Sequence, residues 1–262
     1  MTAHQPVITM QRAKGEALVT LGSDRLERLR TEGSAKAILP GGHKGREVVF
    51  LNTSGGLTSG DHLRFWLKLQ GKAVATTQTA ERAYRATGAP ARMDVRLEVG
   101  HGGWLDWLPQ ETILFDRAAL DRRTLIDLAP GAGCLALEAV VLGRAAMGET
   151  VQEVRFRDHR EIRRDGTLFW MDPLALDASS LDGTATLNAA RAFASLVVTE
   201  EHPISPLRAA LNEPGVAGGV SAFAGRTTIR LLAADGWPLR RQIARLLYIL
   251  RRGQPLPRVW QL

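Results

Sequence analysis

Short runs in which apolar and polar residues alternate, punctuated by glycine, fill most of this chain and predict strands. The clearest is Ala91 to Gly100, where Met93, Val95, Leu97 and Val99 alternate with Arg92, Asp94, Arg96 and Glu98. A period of two gives such a strand one apolar and one charged face. Glu47 to Leu51 and Leu63 to Leu69 alternate similarly on either side of the stretch Leu51 to Leu63, which reads as a loop joining two strands. Lys72 to Thr79, Glu111 to Phe115, Arg123 to Leu128 and Phe193 to Val198 add further strands, and Val7 to Leu29 alternates weakly. Cys134 to Leu142 is broken by little besides Glu138, the pattern of a strand covered on both faces. Two hairpins are expected: Val151 to Arg163 with Thr167 to Asp172, turned at Arg164-Asp165-Gly166, and Val220 to Ala224 with Thr227 to Leu232, turned at Gly225-Arg226.

Helical spacing is scarce and late. Leu239, Ile243, Leu246, Leu247 and Leu250 share one face of a helix, and Arg240, Arg241, Arg245, Arg251 and Arg252 occupy the remainder. Pro238 stands near its start and Gly253 after its end. Ser205 to Leu211 predicts a second, short helix. Many short strands with little helix, no repeat of fixed sequence and no linker predict one mainly β domain over residues 1–262.

Composition narrows the class. A chain of 262 residues buries a core without covalent staples, and with Cys134 as its one cysteine it forms no internal disulfide. Cys134 lies in an apolar run, which suits an inert thiol in a reducing compartment. The amino terminus lacks the basic start and apolar stretch of a signal peptide, and no window has the length of a membrane span, so a cytoplasmic location is expected. The net charge of +7 favours an acidic partner and raises nucleic acid as an alternative, although the arginines are interspersed with acids along the whole chain.

The Leu51 to Leu63 stretch, Leu-Asn-Thr-Ser-Gly-Gly-Leu-Thr-Ser-Gly-Asp-His-Leu, is either a structural corner or a site. It is not a Walker phosphate loop, because no Lys-Ser or Lys-Thr follows and the next segment is strand-like. Nor does it contain the Gly-x-Ser-x-Gly of a nucleophile elbow. His4, His43, His62, His101, His159 and His202 lack the short spacings of a zinc site. Asp61, Asp106, Glu111, Asp116, Glu138, Glu149 and Asp172 lie in or beside loops and apolar runs, with Arg85, Arg117 and Arg144 in similar settings. Two readings follow: structural arginine–carboxylate pairing in a β-rich core, or a polar path along which a divalent cation steps between weak oxygen sites. A carboxylate-based glycoside hydrolase is a third, since sequence spacing does not fix the distance between carboxylates.

Several segments, in order, resemble the urease accessory protein family UreD, also called UreH. They are Asn52 to Asp61, Thr77 to Arg85, Trp107 to Phe115, Gly143 to Glu149, Arg164 to Trp170 and Leu256 to Trp260. The resemblance implies a β-helix-like stack of strands with a small helical part. It also implies a non-enzymatic maturation factor that binds urease apoprotein and recruits the accessory proteins UreF and UreG. Nickel would be cargo in transit, with no stably bound cofactor, and GTP would belong to the partner GTPase. Nucleic acid and membrane are not expected partners, and copies of the chain would associate through the accessory complex. An internal nickel passage associated with the family makes Asp61, Glu138 and Asp172 candidate lining residues. Met171-Asp172-Pro173 departs from the more charged pattern that relatives carry there. Arg240 and Arg241 fall in the region that the resemblance places near an accessory partner.

Overall fold

From residue 47 to residue 142 no two successive strands pair with each other, and the chain passes between the two sheets as the strands' apolar faces meet. The computed structural model describes residues 11–41, 46–181 and 183–261; the predictions at His4 and His43 and over residues 7–10 lie outside them. The strands are β1 (Lys14–Leu21), β2 (Leu26–Gly33), β3 (Ala35–Ile38), β4 (Glu47–Asn52), β5 (His62–Leu69), β6 (Lys72–Gln78), β7 (Glu81–Ala83), β8 (Ala91–Val99) and β9 (Trp104–Leu108). They continue with β10 (Thr112–Leu114), β11 (Ala118–Leu128), β12 (Gly133–Leu142), β13 (Val154–Arg164), β14 (Thr167–Leu176), β15 (Ala192–Val198), β16 (Val216–Phe223) and β17 (Arg226–Ala233). Three helices, α1 (Ala178–Leu181), α2 (Ile204–Ala209) and α3 (Gly236–Leu250), complete the list of α-elements among the described residues.

One sheet runs β14-β13-β11-β8-β5-β1-β2, and its inner five strands are mutually parallel. The second runs β16-β17-β15-β12-β9-β6-β4-β3, with β4, β6, β9 and β12 parallel. Short β7 and β10 form a third side between them, β10 pairing in parallel with both β7 and β12. The chain therefore coils: β5, β6 and β7, then β8, β9 and β10, then β11 and β12. Register sets His62 beside Arg92 and Arg92 beside Asp121, so successive turns take 30 and 29 residues. This is a mainly β architecture of β-helix-like stacked turns, and the coils repeat in space without repeating in sequence.

Two cores follow from the alternation. Leu63, Phe65, Leu67 and Leu69 of β5, with Met93, Val95 and Leu97 of β8, meet Cys134, Ala136 and Val140 of β12 between the sheets. The other face of β12, Leu135, Leu137 and Ala139, packs beneath Leu239, Ile243, Leu246 and Leu247 of α3. That double coverage is the burial expected for Cys134 to Leu142. Removal from water pushes the Cys134 thiol up to about 12 and leaves it unreactive.

The Leu51 to Leu63 stretch bridges the sheets, with β4 on one side and β5 on the other. At Gly56, φ is 150°, and a Cβ there would lie 2.7 Å from the Arg82 carbonyl oxygen. Only glycine lets the loop close onto β7.

Candidate functional site

Arg122, Asp158, Arg160 and Asp172 all sit at buried positions where the alternation of β11, β13 and β14 points inward. Parallel pairing places Arg122 beside Asp158, and the β13–β14 hairpin places Arg160 beside Asp172. On the facing sheet the register aligns Glu138, Ser195 and Arg230 across β12, β15 and β17. Five buried charges thus converge in the interior, with Arg230 reaching them from the surface, because strand register brings them there.

Their contacts form a continuous chain. Arg122 donates to both Asp158 oxygens at 2.9 and 2.8 Å, to Thr112 Oγ1 at 2.9 Å, and reaches Glu138 Oε2 at 2.8 Å. The Trp107 indole N–H donates to the other Glu138 oxygen at 3.2 Å. Arg160 lies 3.3 Å from Asp158 and donates to Asp172 at 2.6 Å. Asp172 also accepts from the Ser195 hydroxyl at 3.2 Å and from Arg230 at 2.5 Å. Arg230 is largely exposed and carries the chain to the surface.

Three guanidinium groups balance three carboxylates, so the chain carries no net charge. Burial pushes the Glu138 pKa up, and Arg122 opposes that shift. Burial also works against the Arg122 charge, but Asp158 and Glu138 outweigh it and hold that group firmly cationic. Each charge needs its neighbours, because an uncompensated buried ion costs several kcal/mol.

Besides a groove of about 570 Å³ that Arg122 and Asp158 line together with the exposed Arg92, Arg123 and Arg157, three spaces follow one another along this chain. A cavity of about 40 Å³ opens beneath the glycine-rich loop, walled by Phe50, Phe65 and Trp107 and lined by Asn52, Glu81, Thr112, Arg122 and Glu138. A void of about 10 Å³ lies beyond it between Glu138 and Arg160, roughly the room one water needs. A groove of about 570 Å³ follows, lined by Arg160, Ser195 and Arg230 and reaching the β14–β15 connection. Trp107 and Glu138 form the shared wall of the first two spaces, and Arg160 that of the second and third.

Two of the three candidates from sequence, Glu138 and Asp172, belong to this network. Asp61 does not. It is buried, and its carboxylate accepts from the backbone N–H groups of Ala13 and Thr58, each at 2.8 Å, fastening the glycine-rich loop to the start of β1. The buried pairing expected of Arg85, Arg117 and Arg144 falls to other arginines. Arg85 is exposed, Arg117 meets Asp116 and Glu153 at the surface, and Arg144 meets Glu149 there. Besides Arg122 and Arg160, the third deeply buried arginine is Arg251, which donates to Asp106 at 2.8 Å. A signal for the first existed: Ala118, Leu120, Arg122, Thr124, Ile126 and Leu128 share one phase of β11, with a charge in the midst of it.

Arg240 and Arg241 separate as well. Arg240 is largely buried; it donates to Gln110 at 2.6 Å and stacks over Trp260 at 4.6 Å, tying α3 to the carboxy-terminal segment. Arg241 is exposed and pairs with the buried Glu213. The outward face of α3 presents Trp237, Arg241, Arg245 and Tyr248 at helical spacing, continued by Arg252.

Positive charge does not gather into a stripe. On the outer face of the parallel sheet Arg64, Lys68 and Arg96 interleave with Glu16, Glu98 and Asp127. Among the described residues no three His, Cys, Asp or Glu side chains converge to hold a metal, and no helix is long and apolar enough to cross a membrane.

Comparison with known proteins is consistent along the whole chain. Residues 13–261 match the family model described as UreD urease accessory protein. A urease accessory protein UreD of Paracoccus denitrificans is 56% identical over 263 residues, covering 97% of this chain and 94% of the relative. One from Cereibacter sphaeroides is 57% identical over 265 residues, covering 96% of each. One from a Jannaschia species is 43% identical over 261 residues, covering 97% of each.

Proposed function

Because the chain belongs to the UreD family of urease accessory proteins, we propose that it is a urease maturation factor that binds urease apoprotein and, with UreF and UreG, supports GTP-dependent nickel insertion. In this reading it works as an adaptor and conduit without turning over a substrate, and GTP hydrolysis belongs to the partner. Nickel is cargo that crosses the interior from the groove to the cavity beneath the glycine-rich loop, or the reverse.

The observation that carries the conduit is the series of three spaces whose shared walls are Trp107 with Glu138, and Arg160. The chemistry suits transit. Each carboxylate already holds an arginine, so a cation that displaces the guanidinium meets one or two oxygens and no soft donors. Such contacts release as readily as they bind. The exposed face of α3, aromatic and arginine-rich, is the reading's docking surface for an acidic accessory partner, since Trp, Tyr and Arg dominate the energetic centres of interfaces.

The test is co-production of urease with its accessory proteins and a Glu138→Gln variant of this chain, followed by nickel analysis of purified urease. Lowered nickel per urease with an intact accessory complex supports the conduit. Full loading overturns it.

A further inference from the structure

Glu81 is the second carboxylate lining the cavity beneath the glycine-rich loop, and it takes no part in the ion-pair chain. It occupies the first position of β7, where its backbone pairs with β10 and its N–H donates to the Glu111 carbonyl oxygen at 2.9 Å. Its two oxygens share one amide group, Asn52 Nδ2, at 3.1 and 3.3 Å. Asn52 is itself held in place: its Oδ1 accepts from the Ser54 N–H and hydroxyl at 3.1 and 2.6 Å.

What Glu81 lacks is a cationic side chain in contact with it. No Lys, Arg or His side-chain nitrogen among the described residues lies within 4.0 Å of its carboxylate; Arg82 reaches it only through its backbone N–H, which donates to Oε1 at 3.2 Å. Its sequence neighbour Arg82 is exposed, the nearby Glu111 is engaged by Arg240, and across the cavity Arg122 is committed to Glu138 and Asp158. Glu138, which lines the same cavity, differs: it touches a guanidinium, and Glu81 touches none. Enclosure pushes the Glu81 pKa up to about 7, and the Asn52 amide, the Arg82 N–H and the nearby Arg82 charge only partly offset this. A divalent cation in the cavity would reverse that penalty.

We propose that Glu81 is a cation-binding residue, the anionic anchor at the loop end of the cavity for a partly hydrated divalent metal ion. Two features of the site define the class of ligand. The donors facing the space are oxygens, and the 40 Å³ volume admits an ion with only a few of its waters. Asn52 holds the carboxylate and pairing with β10 holds the backbone that carries it, which preorganises the contact. The inference deepens the conduit reading and rests on it for the identity of the cargo, but not for the existence of the site.

Calorimetric titration of Ni²⁺ into the full-length chain at pH 8 tests it, with Glu81→Gln, Glu81→Asp and Glu138→Gln alongside. Gln preserves the shape and still accepts from Asn52, so the variant is expected to unfold near the wild-type temperature. Its nickel affinity is expected to fall by at least about tenfold, with Glu81→Asp intermediate. Unchanged affinity in Glu81→Gln, or no measurable nickel binding by the wild type, overturns the assignment. Nickel loading of urease separates this from the conduit. If Glu81→Gln loses binding while Glu138→Gln still loads urease fully, the cation site stands and the conduit falls. If Glu81→Gln binds normally and Glu138→Gln fails to load urease, the reverse holds.

Discussion

Arg122 reaches from β11 of one sheet to Glu138 on β12 of the other, with 2.8 Å between guanidinium and carboxylate, both buried. The contact joins the two sheets through charge, where most of their interface is apolar. Arg122→Met removes the cation from two buried carboxylates, Glu138 and Asp158, and is expected to cost about 3–5 kcal/mol of stability in denaturant unfolding. The triple variant Arg122→Met, Glu138→Leu, Asp158→Leu removes both stranded carboxylates while Arg160 keeps Asp172, and should recover part of that loss. If the conduit reading holds, the triple variant also folds and assembles while failing to load nickel. A triple variant less stable than Arg122→Met alone would show that the network contributes more than mutual compensation.

Asp61 leads to the opposite expectation. Its carboxylate satisfies two backbone N–H groups far from the ion-pair chain. Asp61→Asn keeps one acceptor and should lower stability by about 1–2 kcal/mol. Nickel loading of urease, normalised to folded protein, should be unaffected. A loading defect at full stability would return Asp61 to the conduit.

Much of this molecule could be read along the chain, and the parts that could not share one cause. Ala91 to Gly100, Cys134 to Leu142 and the helix around Leu246 announce themselves because burial imposes a local period on side chains. The glycine-rich loop was recognisable as a corner, but nothing local says that it crosses between sheets instead of closing a hairpin. The 29- to 30-residue coil leaves no repeated motif, since parallel neighbours need only matching inward phase and compatible volume. Glu138 was visible as the one charge in an apolar strand. Its partners Arg122, Asp158 and Arg160 were not, because their meeting depends on register between strands tens of residues apart. Arg240 and Arg241 show the same limit: adjacent in sequence, they end up with one against Trp260 and the other facing solvent.

That divergence makes α3 testable. Trp237 and Tyr248 are each more than 60% exposed on a helix whose opposite face is core, so truncating them removes little packing. Trp237→Ser with Tyr248→Ser should leave stability within about 0.5 kcal/mol of wild type. Capture of the accessory partner in a pull-down should fall by tenfold or more if this face docks it. Arg240→Ala should behave in the contrary way, lowering stability by about 1–2 kcal/mol through loss of the Gln110 and Trp260 contacts. Equal partner capture by the double variant and wild type would move the docking surface elsewhere.

Glu81 supplies a dependence on pH whose sign differs from that of most acidic groups. Its pKa in the folded protein, about 7, lies above the 4.5 of an unperturbed glutamate. Between those values the folded state holds a proton that the unfolded chain has released, so stability falls as pH rises through this window and stays lowered above it. The full gap would correspond to roughly 3 kcal/mol, and the residue's partial exposure reduces the expected effect to about 1–2 kcal/mol. Glu81→Gln carries no charge to desolvate in either state. Urea unfolding should therefore find the variant close to wild type at pH 5 and more stable by about that amount at pH 8 in metal-free buffer. Acids with lowered pKa values, such as Asp116 and Glu161, are common to both proteins and cancel in the difference. Saturating Ni²⁺ should narrow the gap at pH 8, because the cation stabilises the wild type alone. A difference between the two proteins that is the same at both pH values would mean that the Glu81 carboxylate is ionised and well solvated throughout, and that the cavity mouth holds no uncompensated charge.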